Sequence, residues 1–305
     1  MLAILLMKPS ITAVILTFNE ELHLRRCLEN ARQVASAIFI VDSFSTDATL
    51  AIARECGAVV YQNKWENNHA RQFNWALDNL PIETEWVLRL DADEYLLPAL
   101  VDEINARVPQ VDASVSGIIF RRRCVFLNKW IKRGIGKMEM LRLFRYQDGF
   151  SETRWMDEHI KLRKGTSMLF EHEFVDHNLN TIGWWTQKHN GYSIREAIEL
   201  LNIEYGLIAE VGPDGQMGSG AAGKRGKKLR YAKLPLFFRS AAYFFYRYVF
   251  LLGFTGGKEG FLWHFLQGWW YRTLVDAKVF EIRKACGSDP VLMKRYIKVQ
   301  YGIEL

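Results

Sequence analysis

Cysteine is scarce: Cys27, Cys56, Cys124 and Cys286 are the four among 305 residues, with neither paired spacing nor a C-x-x-C. That excludes a disulfide scaffold and a redox pair, and it suits a thiol-reducing compartment. No long apolar stretch is free of charge. The best candidate, 234–254, is 21 residues long but carries Arg239 and Arg247. An arginine near the centre of a span costs about 2.5–3.5 kcal/mol even on a lenient insertion scale, so a spanning helix is not expected. The apolar Met1 to Met7 run lacks a basic leader and a cleavage site; it reads as the approach to a first strand, not as a signal peptide. Internal repeats are absent. A zinc H-E-x-x-H is absent too, because His172 and His177 stand five apart, on different faces of a helix. No nucleic-acid module signature accompanies the net charge of +6, so nucleic acid is not the expected partner.

What is present is a set of apolar runs that stop abruptly at polar residues. Trp86-Val87-Leu88-Arg89-Leu90 ends in Asp91-Ala92-Asp93, two carboxylates two residues apart. A buried strand cannot leave acids unpaired inside a core, so these belong at the carboxyl edge of a sheet, facing a divalent metal or a ligand. Ile11 to Leu16 stops at Thr17-Phe18-Asn19-Glu20, Ala37 to Val41 at Asp42-Ser43, and Ala58 to Tyr61 at Gln62-Asn63. Between them, Leu24, Leu28, Ala31 and Ala35 repeat at helical spacing, and Ala48 to Ala53 opens a helix behind a Ser45-Thr46-Asp47 cap. Strand and helix alternating at so short a period predict an α/β fold with a doubly wound, mostly parallel sheet. Ligands bind beyond the carboxyl ends of such strands, so Asn19, Asp42 and Asp91 are expected to converge.

In that order and spacing, Thr17-Phe18-Asn19-Glu20, Val41-Asp42-Ser43-Phe44-Ser45-Thr46-Asp47, His69-Ala70-Arg71-Gln72-Phe73-Asn74 and Asp91-Ala92-Asp93 resemble the motifs of inverting family-2 glycosyltransferases of the GT-A fold, over roughly residues 10–165. The resemblance implies a nucleoside-diphosphate sugar donor and a divalent cofactor, Mn2+ or Mg2+. It implies that Thr17, Phe18 and Glu20 line the base and ribose pocket and that Asp42 accepts the imide N–H of the base. Arg71 would face base or diphosphate, Asp91 would touch the ribose, and Asp93 would hold the metal. Members place an acid about 60 residues after the D-x-D as the base that deprotonates the acceptor hydroxyl. Asp157 and Glu158 both qualify; Glu158 is the first candidate and Asp157 the second. Branches with a histidine just after the base put His177 near the diphosphate or metal.

Bland readings stand beside these. Asp47 suits a helix cap, Glu20 suits a first-turn acid, and Asp157-Glu158 could be an exposed turn. Arg71 near a helix start opposes the helix dipole, which a nearby diphosphate would offset. Arg121-Arg122-Arg123 and Lys129 to Arg133 read as solvated surface or as a landing for a phosphate-rich acceptor.

The length suits one core of about 210 residues plus an appendage. The expected division is a catalytic domain over 1–210 (donor half about 10–95, acceptor half about 96–210), a glycine-rich mobile loop over 211–223, and a basic, aromatic helical extension over 224–305. The extension reads as a helix lying in a membrane interface, both arginine heads wet and aromatic rings at the boundary. A buried helix or a dimer contact, hence a homo-oligomer, is the other reading. Lys188-His189-Asn190-Gly191-Tyr192-Ser193 and Gly253-Phe254-Thr255-Gly256-Gly257 resemble the branch that builds bacterial lipopolysaccharide core, capsule and other lipid-linked glycans, although that branch often has an aspartate where Thr255 or Gly256 stands. That resemblance implies transfer of a hexose-type unit to a lipid-linked saccharide, by a cytoplasmic protein peripheral on the inner face of the membrane. Two rivals remain. A sugar nucleotidyltransferase would want a glycine-rich basic loop after the first strand. A catalytically dead membrane scaffold would have no need of the acids.

Overall fold

The computed structural model describes residues 9–66, 68–136, 138–152, 158–208, 216–217 and 231–305. The expectations for Met1 to Met7, for Asp157 and for most of 211–230 lie outside them. The chain opens with β1 (Ile11–Thr17), α1 (Leu24–Ala31), β2 (Ala37–Asp42), α2 (Thr49–Glu55), β3 (Val59–Gln62), α3 (His69–Asn79) and β4 (Trp86–Asp91). The strands lie parallel in the order β3-β2-β1-β4. β1 is central, with Ile11, Ala13, Val14 and Ile15 fully buried. Its unbroken apolar run follows from being covered on both faces. One face packs Ile15, Leu28 and Leu88 with Phe120 and Phe174; the other packs Val14, Phe73 and Val87 with Phe144.

β5 (Glu94–Leu96), α4 (Pro98–Arg107), β6 (Val115–Phe126), β7 (Lys129–Trp130), β8 (Met138–Arg145), β9 (Gly149–Ser151), β10 (Ile160–Leu162) and β11 (Thr166–His177) follow. The sheet continues from β4 as β8-β6-β11-β5, with β8 and β5 running against their neighbours. β9 and β10 pair in a small second sheet with β12 (Gln216–Met217). Two expectations change here. The segment containing His172 and His177 is the strand β11, not a helix. Arg121, Arg122 and Arg123 are not a solvated cluster: they lie within β6 and pair with Glu139, Asp176 and Glu173 at 3.6, 3.2 and 2.7 Å. Charges on a half-buried strand need counter-charges, and the neighbouring strands supply them.

The remaining described elements are helical: α5 (Ile182–Tyr205), α6 (Phe238–Phe245), α7 (Gly257–Trp263), α8 (Tyr271–Cys286) and α9 (Pro290–Tyr301). α7 runs through wide turns at His264–Trp270 directly into α8. α5 buries Ala197, Ile198 and Leu201 against Val275, Val279 and Ile282 of α8 and Met293 and Ile297 of α9, a core separate from that of the sheet. The two arginines expected to stay wet are buried. Arg239 pairs with Asp276, Nε to Oδ1 at 2.7 Å, and Arg247 donates from Nε to the Gly134 carbonyl at 2.6 Å. Arg239 thus ties the extension together and Arg247 ties it to the acceptor side, while Phe245, Tyr246 and Phe250 are exposed and Phe244 is buried. No helix among the described residues is long and apolar enough to cross a membrane.

Candidate active site

The strand ends of β1, β2 and β4 share one edge, and register brings Thr17 beside Asp42 and Leu16 beside Asp91. Asp42 is fully buried and saturated. It accepts from the Thr17 hydroxyl (2.9 Å), the Ser45 amide (2.9 Å) and hydroxyl, and the Gln62 amide group (3.2 Å). A base N–H approaching Asp42 must displace one of these donors, and Gln62, exposed and held by the longest of these bonds, is the one most readily displaced. Asn19 adopts a left-handed φ of 55° and knits the first loop to the second, its amide donating to Ser45 Oγ at 2.8 Å and its Oδ1 accepting from the Thr46 amide at 2.9 Å. Asp47 accepts from the Thr49 amide at 3.0 Å, as a cap does, and also from the Glu21 amide at 3.2 Å. Its hydrogen bonds with Thr49 hold its carboxyl low against the opposing effect of burial. Phe18 is exposed at the mouth. Glu20 takes a hydrogen bond from His23 Nδ1 at 2.7 Å, while His23 Nε2 accepts from the Leu179 amide at 2.8 Å, so the ring tautomer is fixed. Arg71 is exposed, 3.4 Å from Glu66, and its amide is capped by Asn68.

The D-x-D sits on a dense charge network. Arg142, buried on β8, reaches Asp91 Oδ2 at 3.2 Å and also pairs with Glu94, whose other oxygen accepts the Asp91 amide at 3.0 Å. Burial would raise the Asp91 carboxyl, but Arg142 and Arg89 together hold it well below the usual carboxylate range. Burial, with Asp91 and Asp176 close by, pushes Glu94 up against the pull of Arg142. Arg89, in the middle of the apolar β4, donates from Nη2 to Glu158 Oε1 at 3.2 Å, lies 4.0 Å from Asp91 Oδ1 through Nε, and stacks over Phe73. Glu158 and Asp91 are thus brought to the two sides of one guanidinium, although they are far apart in sequence. His69, at the start of α3, is held below its ordinary pKa by burial, despite the opposing charges of Glu158 and Asp91.

Asp93 and His177 also meet. The His177 amide donates to the Asp93 carbonyl at 3.1 Å, and Asn178 Nδ2 donates to Asp93 Oδ2 at 3.0 Å. Arg26 closes the cluster, reaching the His177 carbonyl at 2.8 Å and ring Nδ1 at 3.1 Å. The His177 Nε2 faces Asn128 Oδ1 at 2.9 Å, so both ring nitrogens are engaged. Burial, then Arg26 and His23, lower the His177 pKa and favour the neutral ring. Among the described residues no group of three or more His, Cys, Asp or Glu stands ready as a metal cage. Such a cage is not what magnesium-type ions need beside a diphosphate, where one or two carboxylates, substrate oxygens and water complete the shell. The Asp93 carboxylate, whose one partner among the described residues is Asn178, fits that role. His177 fits it less well, since a lone pair would have to be released from Arg26 or Asn128.

Sequence reasoning missed Arg26, Arg89, Glu94, Arg142 and Asn178. A signal existed for two of them: Arg89 in Trp86–Asp91 and Arg142 in Met138–Arg145 are charges inside apolar strands, which can be buried only with partners.

Comparison with known proteins fits this geometry. The family model described as glycosyl transferase family 2 matches residues 12–178, more than half of the chain. Among curated proteins, an "uncharacterized glycosyltransferase" of Rickettsia bellii is 35% identical over 100 residues, 33% of each chain, and one of Rickettsia conorii is 38% identical over 95 residues, 31% of this chain and 33% of that one. The matched region thus spans about a third of the length of these relatives. Among solved structures, a mannosyltransferase from Pyrobaculum calidifontis, in complex with GDP-mannose and Mn2+, superposes with a TM-score of 0.52 at 15% identity, covering 90% of this chain and 88% of that one, a likeness of fold.

Proposed function

Because the chain belongs to glycosyl transferase family 2, we propose that it moves a hexose-type sugar from a nucleoside diphosphate to a lipid-linked saccharide, with inversion, at a membrane surface. The observation that carries the catalytic part is the meeting of Asp42, Asp91, Asp93 and Glu158 at one sheet edge, with Glu158 and Asp91 joined through Arg89. In this reading Glu158 takes the proton of the acceptor hydroxyl as its oxygen bonds to the anomeric carbon, while the opposite bond to the diphosphate oxygen breaks. Thr17, Phe18 and Glu20 line the base and ribose pocket, Asp42 accepts the imide N–H of the base, Arg71 faces base or diphosphate, Asp91 touches the ribose, and the protein contributes mainly positioning. Asp93, and His177 if its ring is released, would hold a divalent ion, which supplies charge for the departing diphosphate. Asp157 remains the alternative base. The same-fold mannosyltransferase that binds GDP-mannose with Mn2+ supports the donor class.

The membrane part rests on the extension. Phe238, Phe245, Tyr246, Phe250, Phe254 and Phe261 are exposed, Phe250 to 74%, and a groove beside them is lined by Tyr248, Lys258 and Leu262. Exposed aromatic rings of this kind suit the boundary between headgroups and acyl chains. Lys129 holds the extension to the acceptor side through Glu259, at 3.1 Å. A dimer contact is the other occupant of that face.

The test is a thermal-shift screen against nucleotide sugars, with and without manganese. One donor should stabilise the protein in a metal-dependent way, and Asp93→Ala should lose both that effect and transfer while melting like the parent. Full activity in EDTA would sink the metal role. Glu158→Gln should bind donor normally and lose turnover by about 100-fold or more, as expected when a general base is removed.

A further inference from the structure

We propose that Lys188 of α5 is the protein's own cation for the leaving diphosphate, a residue that touches the donor; the inference rests on the donor class proposed above. α5 is fixed to the site from its first residue. Asn178 and Leu179 hydrogen-bond Asp93 and His23, and Thr181 Oγ1 then caps the helix by accepting from the Trp184 amide. Trp184, Lys188 and Tyr192 follow at intervals of four, on one face. The Lys188 ammonium lies 4.5 Å from the centre of the Trp184 ring and 5.8 Å from that of Tyr192.

The manner in which this charge is held differs from that of the arginines on the neighbouring strands. Arg89, Arg142, Arg122 and Arg123 are each matched by a carboxylate within 3.2 Å. Lys188 is cradled by aromatic faces, and no carboxylate of the described residues is in contact with it. Ring faces hold a cation without neutralising it. Burial opposes its charge, yet Tyr192 and the fields of Asp93 and Glu20 outweigh that and keep the ammonium protonated. A protonated, partly desolvated lysine on the helix that Asn178 joins to Asp93, with no carboxylate among the described residues in contact with it, is suited to an incoming anion. An ammonium on a flexible stem meets phosphate oxygens as a point charge and can follow them as the bond to the sugar lengthens. Charge on the diphosphate grows through that step, so the contact strengthens toward the transition state.

The experiment measures binding of UDP, GDP, UMP and GMP to the full chain in the presence of Mn2+, for the parent protein, K188M and K188Q. Both variants keep an unbranched stem against the rings. The parent should prefer a diphosphate to its monophosphate. The variants should lose about 10- to 100-fold in diphosphate affinity, the range for one charge-assisted hydrogen bond, with monophosphate affinity almost unchanged. Equal diphosphate affinity in parent and variants overturns the proposal. So does an equal loss for mono- and diphosphate, which would mark Lys188 as packing only. If the parent binds none of UDP, GDP, ADP, CDP and dTDP, the donor reading itself fails, a result distinct from either of these. If one variant does not fold, the other carries the comparison.

Discussion

Arg89 is the residue on which the catalytic arrangement turns. It is almost fully buried in β4, its Nε has no hydrogen-bond partner among the described residues, and the carboxylates beside it there come from opposite ends of the candidate reaction, Glu158 on the acceptor side and Asp91 on the donor side. If Arg89 acts through Glu158, then Arg89→Met should lower turnover by about 10-fold or more by releasing the base from its position. The same change made in Glu158→Gln should cost nothing further, because the group being positioned is already inert. A double-mutant cycle on kcat measures this directly, and additive losses would mean that Arg89 serves the fold or the donor instead. The sequence hinted at the oddity of Arg89 without disclosing its purpose. An arginine among Trp86, Val87, Leu88 and Leu90 must find an acid, but which acid is set by how β10, through Ile160 and Leu162, packs on a face of the large sheet, and no local pattern encodes that. Asp42 teaches the converse. Its place at a strand end was legible, whereas its four donors, gathered from Thr17, Ser45 and Gln62, were not.

At the level of elements, the parallel half of the sheet was readable because β1, β2 and β4 are buried on both faces and each of the four strands ends at a polar residue. The extension was expected to be helical, as its described residues are, but its packing was not legible, because Arg239 and Arg247 point inward. Its docking onto the acceptor side depends on close fit. His264 is fully buried, donates from Nε2 to the Arg133 carbonyl at 3.2 Å, and lies between Gly134 and Gly253. Gly134 has φ +73°, and a Cβ there would stand 2.2 Å from His264 Cε1, while one on Gly253 would stand 2.7 Å from the same ring. Gly134→Ala therefore meets both a strained backbone and a clash, and should lower stability by roughly 1–3 kcal/mol, seen as a lower melting temperature. An unchanged melting temperature would mean that the loop and ring separate freely. The same ring makes stability depend on pH. Burial and the nearby Arg247 lower its pKa from 6.5 to about 4, so the unfolded chain binds the extra proton first. His189, lowered to about 4 mainly by burial, acts in the same sense. Both contributions are complete above pH 6.5 and are lost as the pH falls from there toward 4. Thermal melts across that interval should show a falling midpoint, and His264→Gln should flatten part of the slope.

For the molecule as a whole, the question is where the acceptor waits. If the acceptor is the lipid-linked saccharide proposed above, it stays with its bilayer, and the mouth of the site on the acceptor side must be held at the surface. Of the described elements, the extension is the one that both touches this mouth, through Lys129 with Glu259 and through Arg247 with Gly134, and carries a broad exposed aromatic face. With Arg239 and Arg247 turned inward, the face depends less on charge than an interfacial helix with wet arginines would. Its attachment should therefore divide into two measurable parts. Phe250→Ser together with Phe238→Ser should weaken binding to vesicles at all salt concentrations, because apolar insertion is not screened. Lys227→Glu with Lys228→Glu, in the basic run before α6, should weaken it more at low salt than at high, since attraction to anionic headgroups fades over about 10 Å at 0.1 M. Vesicle flotation with anionic lipid reads both, and the catalytic site offers an internal control: donor binding should be unaltered in all four substitutions, while transfer to a lipid-linked acceptor falls with flotation. If the parent protein stays in the soluble fraction at low salt, the membrane role is lost. A concentration-dependent dimer that breaks in the Phe250 and Phe238 variant would then identify a second copy of this chain as what covers the aromatic face.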